Sequence, residues 1–236
     1  NVVLNTAVAE QCDRFANDLE HVPADKFVEH ALAWVKKNFR DHKRVIFEGN
    51  GYSPEWEKEA AKRGLPNLKT TPDALPCLIK QTNIDLFSRY GVLNEAEVRA
   101  RYVAAAEQYA KLLNIEANTM VAMAHRMYLP ALTTYSSDLA ASVAAKAEIG
   151  ITATSEKKTV QTITDGMEKI SAATDALEKK NAAAHAIEDP SAQDDAYRDT
   201  VVPAMATLRS EVDAMEEICS EDYWPVPSYN AMLFWV

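Results

Sequence analysis

Between Asn94 and Cys219 apolar residues recur at alternating steps of three and four, a spacing that commits this stretch to long helices packed side by side. Val98, Tyr102, Ala105, Tyr109 and Leu112 open the pattern, Met120, Met123 and Met127 continue it, and it resumes at Leu132, Tyr135 and Leu139. Asn94 followed by Glu97 forms a capping box that sets the start. Pro130 lies inside the pattern. It removes one backbone hydrogen bond and crowds the carbonyl four residues back, so a kink is expected rather than a stop. After Gly150 a second segment carries Val160, Ile163, Met167, Ile170, Thr174 and Leu177. After Asp189-Pro190 a third carries Val201, Met205, Leu208, Val212, Met215 and Cys219, with Pro203 marking another kink. Long segments joined by short turns predict an antiparallel bundle.

The first ninety residues are less regular. Residues 2–20 have helical spacing through Val3, Ala7, Val8, Cys12, Phe15 and Leu19. A second helix is expected after Pro23, with Phe27, Leu32, Val35 and Phe39 on its inner face. Val45-Ile46-Phe47 reads as a strand or extended segment that enters a turn at Gly49-Asn50-Gly51. Ser53-Pro54 starts another helix, with Ser53 as N-cap, ending near Arg63-Gly64. Thr71-Pro72-Asp73 repeats the start signal, and short helical pieces follow over 75–79 and 84–89. The fold class is therefore mainly α: a long-helix antiparallel bundle with a small mixed segment near residues 44–70. Three parts are expected: 1–115, a helical extension 116–222 that shares the long helix from 94, and a tail 223–236. That tail carries Tyr223, Trp224, Tyr229, Phe234 and Trp235, too much aromatic surface to leave in water, so it should dock on this domain or on a neighbouring subunit.

Chemistry is sparse. A net charge of −10 argues against nucleic acid, whose binders present a basic stripe. Lys36, Lys37, Arg40, His42, Lys43 and Arg44 are the nearest approach to one and read as a solvated helix end. Cys12, Cys77 and Cys219 are far apart and fit neither a disulfide framework nor a zinc site, so reduced thiols in a cytoplasmic protein are expected. The Gly49-x-Gly51 pair lacks the further glycines or lysine of a phosphate loop. Glu216-Glu217 and Glu221-Asp222 read as solvated charge, Asp18 and His21 as a surface pair, and the methionines at 120, 123 and 127 as core rather than as a pliable groove. No residue is assigned a catalytic, cofactor-binding or metal-ligating role. No apolar run has membrane-spanning length and no signal peptide is visible; the chain opens at Asn1 inside a helical pattern and reads as a fragment.

Several stretches carry a resemblance: Val3-Leu4-Asn5-Thr6-Ala7-Val8-Ala9-Glu10, the run from His42 to Ser53 including Gly49-Asn50-Gly51-Tyr52, the run Asn67-Leu68-Lys69-Thr70-Thr71-Pro72-Asp73-Ala74-Leu75-Pro76, and Tyr223-Trp224-Pro225-x-Pro227-x-Tyr229 with Leu233-Phe234. In order and spread from residue 3 to 234, they resemble the C-terminal third of type III glutamine synthetases. Asn230-Ala231 departs from that family's tail, and residues 140–190 match it only in helical character. The resemblance implies a parent enzyme that joins ammonia to glutamate, with ATP and Mg or Mn as cofactors, assembled as a homo-oligomeric ring. It also implies that residues 1–115 form the C-terminal end of the catalytic domain and that the glutamate and arginine motifs of that chemistry lie upstream of Asn1, leaving a structural, oligomer-forming and inactive fragment. The rival expectation is a self-standing helical coiled-coil interaction module.

Overall fold

In the computed structural model, which describes residues 1–234, the expected helices form and no strand occurs among the described residues. Their order is α1 (Val2–Leu19), α2 (Phe27–Asp41), α3 (Pro54–Lys62), α4 (Thr71–Ala74), α5 (Gln81–Arg89), α6 (Glu95–Met123), α7 (Leu129–Glu148), α8 (Thr154–His185), α9 (Pro190–Ala196), α10 (Val202–Glu216) and α11 (Tyr229–Leu233). The chain divides into two compact units, residues 1–104 and 105–236.

In the first unit, local chemistry sets the boundaries. Ser53 Oγ accepts the Trp56 N–H, and Pro54 sits where no donor is needed, so α3 begins there. It ends at Gly64, whose φ of 68° lets the Leu65 N–H reach back to the Ala60 carbonyl. The cap of α4 is Thr70, one residue before the expected start. Pro23 lies in the turn ahead of α2 rather than in its first turn, since the Pro23 carbonyl accepts the Lys26 N–H and α2 opens at Phe27. Of the two readings for residues 45–47, the extended one is found: a 3-10 turn at Lys43–Val45 leads into extended Ile46, and no partner strand lies alongside. Ile84 and Phe87 of α5 pack with Val98 at the start of α6, all nearly inaccessible. The box at that start closes both ways: the Glu97 N–H donates to Asn94 Oδ1 at 2.9 Å, and the Asn94 N–H donates to Glu97 Oε2 at 2.8 Å.

The second unit is built on α8. Ile163, Gly166, Ile170, Thr174, Leu177, Asn181 and Ala184 are its buried residues, at steps of three and four. Helices α7 and α10 pack along it, reversed by the turn at Gly150, which adopts a φ of 76°, and by the Asp189 cap, whose carboxylate accepts the Ala192 N–H. Asn181 Nδ2 donates to Asn114 Oδ1 at 2.9 Å and Asn118 Oδ1 at 3.1 Å, which pins the register of α6 against α8. The innermost positions of α6 in this unit are Ala106, Ala110 and Ala117, followed by Ala124; of the expected stripe Tyr109 is half-buried against the core and Leu112 is 49% exposed.

Both prolines bend rather than end their helices. A π turn at Ala124–Tyr128 precedes Pro130, and another at Tyr197–Val201 precedes Pro203. In each case the carbonyl four residues back, at Arg126 or Asp199, falls inside the widened turn, which relieves its clash with the proline ring. Both turns pack on α8.

The tail docks on its own unit through residues 223–226. Trp224 stacks on Tyr128 with ring centroids 5.1 Å apart, Tyr223 donates its hydroxyl to Asp138 Oδ2 at 2.8 Å, and Val226 packs against the core. Leu233 and Phe234 stay exposed. Trp235 and Val236, and the side chains of Tyr229 and Asn230, lie outside the described residues.

Candidate functional site

The apolar stripe of α2 is the feature of the first unit that most needs an explanation. At about 100° per residue, Val28, Leu32, Val35 and Phe39 fall within about 60° of one another on the helix surface. They are 68, 65, 54 and 60% exposed, so the face expected to point inward points to solvent. Phe27, also expected inside, is exposed as well. On α1 the same holds for Val3, Leu4 and Val8, whereas Leu19 is buried. Burying one such side chain fully stabilises by about 1.5–3 kcal/mol, and contiguous apolar surface of this kind marks an interaction site.

Between the two helices the surface dips into an apolar hollow of about 470 Å³, lined by Leu4, Val8, Cys12, Phe15 and Trp34. The hollow has fixed walls. Trp34 meets Phe15 edge-on at 4.6 Å, and its indole N–H donates to Asp18 Oδ2 at 2.7 Å. Asp18 is thereby taken, and His21 faces Glu20 at 3.1 Å, so Asp18 and His21 form no pair. Helix α1 is tied to α5 by Arg89 on Glu10 at 3.1 Å and by the Tyr90 hydroxyl on Asp13 at 2.7 Å. The hydrogen bond to Asp13 raises the Tyr90 pKa.

The basic cluster is partly neutralised. Lys37 bonds Asp41 at 2.6 Å, which holds the Asp41 carboxyl below its ordinary range and raises the lysine. The Gly49–Gly51 segment is a tight turn: Asn50 Oδ1 accepts the Tyr52 N–H at 3.0 Å, and the Asn50 carbonyl accepts the Ser53 N–H. It leaves Tyr52 wholly exposed. Behind it Phe47 stacks on Trp56 at 4.2 Å, and Arg63 lies over Trp56 while donating to the Ile46 carbonyl at 2.8 Å. Among the described residues no three His, Cys, Asp or Glu side chains gather as a metal would require, and no helix is long and apolar enough to cross a membrane.

Met120 and Met123 are half-buried and line an open groove in the second unit, and Met120 also packs against the core, as expected. Helical periodicity marked them as inward-facing, and only the spacing of α6 from α10 reveals the gap.

Residues 31–147 match the family described as Glutamine synthetase C-terminal domain. The chain is 34% identical to a glutamine synthetase of Butyrivibrio fibrisolvens over 89% of its own length and 30% of that protein's. It is 31% identical to the type-3 glutamine synthetase of Dictyostelium discoideum, over 99% of this chain and 33% of the relative. A glutamine synthetase of Bacteroides fragilis (strain YCH46) is 25% identical over the same shares, 99% and 33%. The chain thus spans about a third of the length of the curated relatives it matches. With motifs, helical architecture and alignment in agreement, the chain belongs to the glutamine synthetase family, in the region of its C-terminal domain.

Proposed function

We propose that this chain serves as the C-terminal region of a type III glutamine synthetase, and that its own role is structural. The parent reaction joins ammonia to glutamate through a γ-glutamyl phosphate, with ATP as phosphoryl donor and Mg or Mn as the divalent ion. The charge that develops there needs metal-binding carboxylates and arginines held together. In this reading the region upstream in the relatives supplies those groups, in the cytoplasm and within a homo-oligomeric ring. This chain supplies the face against which that region packs.

The observation that carries this reading is the uncovered apolar stripe of α2 beside the α1 hollow, in a chain that aligns with only about a third of a longer enzyme.

The test is a hybrid enzyme in which this chain replaces the matching region of the Butyrivibrio fibrisolvens protein. The hybrid is expected to form γ-glutamyl hydroxamate from glutamate, ATP and hydroxylamine, and this chain by itself is not. Leu32→Asp with Phe39→Asp should abolish soluble assembly of the hybrid while leaving the helicity of the isolated chain unchanged. Metal-dependent turnover by the isolated chain, or a hybrid indifferent to the two aspartates, would overturn the proposal.

A further inference from the structure

In the second unit, α6 with its π turn, α10 and the tail residues Val226, Pro227 and Met232 line a groove of about 670 Å³. Its floor is apolar: Leu208 and Val212 of α10 are buried, and Met120, Met123 and Met205 line it half-buried. From Leu113 to Tyr128 the α6 wall runs roughly 22 Å at about 1.5 Å per residue. That length is about four helical turns. A compact small molecule would fill part of the trench, whereas one row of side chains on a helix would fill all of it. Methionine is the adaptable lining residue found where apolar helix faces are accepted.

Charge sets the polarity of the occupant. Glu116 lies toward one end of the α6 wall, and Asp213 and Glu216 lie on α10 at the end that holds Tyr128. Arg209 binds Asp213 at 2.6 Å, so those two cancel. Among the described residues neither Glu116 nor Glu216 has an ion-pair partner, and both are exposed. Burial and, after it, the Glu216 charge raise the Tyr128 pKa, against an opposing contribution from Arg209. The net charge of −10 further draws in a basic partner and repels an acidic one.

We propose that this groove binds an amphipathic helix of a partner protein, with its apolar stripe on the methionine-lined floor and lysines or arginines near its two ends paired with Glu116 and Glu216. The proposal does not depend on the ligase reading, because it concerns a surface of the second unit alone and its test involves no turnover.

The full chain, labelled with carbon-13 at its methionine methyls, is titrated with a synthetic 14-residue leucine/lysine peptide of helical apolar spacing and with the same peptide carrying glutamate for lysine. The lysine peptide should shift the methyl signals of Met120, Met123, Met205 and Met232, which line the groove, and leave Met167, which does not, in place. The glutamate peptide should shift none of them. Glu116→Gln with Glu216→Gln, both at exposed positions, should weaken the lysine peptide at least tenfold with the circular dichroism unchanged. Equal binding of both peptides, no shift at the four groove methyls, or an indifferent double variant each overturns the proposal. So does octylammonium binding more tightly than the peptide, which would assign the groove to small cations. Concentration-dependent shifts without peptide would assign it to a second copy of the chain, with the same consequence.

Discussion

Asp194 offers the sharpest quantitative check on the second unit. It lies on α9, is 3% exposed, and its Oδ1 has no hydrogen-bond partner, while its neighbour Asp195 is held by Arg198 at 2.8 Å. Burial, with a smaller contribution from the Asp195 charge, pushes the Asp194 carboxyl from 3.8 up to about 6. The folded state therefore keeps its proton up to about pH 6, whereas the unfolded chain releases it near 3.8. Over that window the unfolded state binds fewer protons, so stability falls as pH rises and levels off above it. At about 1.36 kcal/mol per pH unit the full difference is roughly 3 kcal/mol, of which roughly 2 kcal/mol falls between pH 4 and 7.5. Asp194→Asn keeps the shape and removes the titration. Urea unfolding followed by far-UV circular dichroism should show the variant gaining roughly 2 kcal/mol on the wild type between pH 4 and pH 7.5. Any fixed cost of burying the amide cancels in that comparison. A variant-minus-wild-type difference that is the same at both pH values would refute the assignment of a strained buried carboxylate.

Two further substitutions probe the packing. At Gly166 an added Cβ would lie 2.1 Å from Met215 Sδ and 2.8 Å from its Cε. Gly166→Ala should cost about 1 kcal/mol net, because overpacking outweighs the gain of up to about 1 kcal/mol in helix propensity. In a Met215→Ala background the same change should stabilise, and a stabilising Gly166→Ala in the wild type would show that α8 and α10 do not approach this closely. Trp224→Ala removes the ring stacked on Tyr128 and should cost about 3–5 kcal/mol, read as a lower urea midpoint for the bundle. A midpoint unchanged by that substitution would mean the tail does not dock on its own unit.

Much of the fold was legible because its determinants are local. The Asn94–Glu97 box, the Ser53 and Asp189 caps and the glycine stops need only a few neighbouring residues to satisfy the backbone groups at a helix end. The inward row of α8 was legible too, since Ile163, Ile170, Thr174 and Leu177 are found where periodicity placed them. On α6 periodicity was less decisive. Steps of three and four describe two adjacent rows equally well, and the folded chain buries the alanines at 106, 110, 117 and 124 while leaving Leu112 exposed. Which row lies innermost is not revealed by a single helix.

For the same reason the sequence determined that α2 has an apolar face, but not what covers it. Val28, Leu32, Val35 and Phe39 turn outward because nothing in residues 1–104 packs over them, and an amphipathic pattern is indifferent to whether its cover lies in the same chain. The groove along Met120, Met123 and Met205 is likewise a product of helix separation, a distance between elements that the order of residues along each helix does not encode. Helix type, helix ends and the apolar rows come from interactions within a few turns of chain. Which row lies innermost, which face stays open and where two helices part come only from the way those rows compete for one another in the folded bundle.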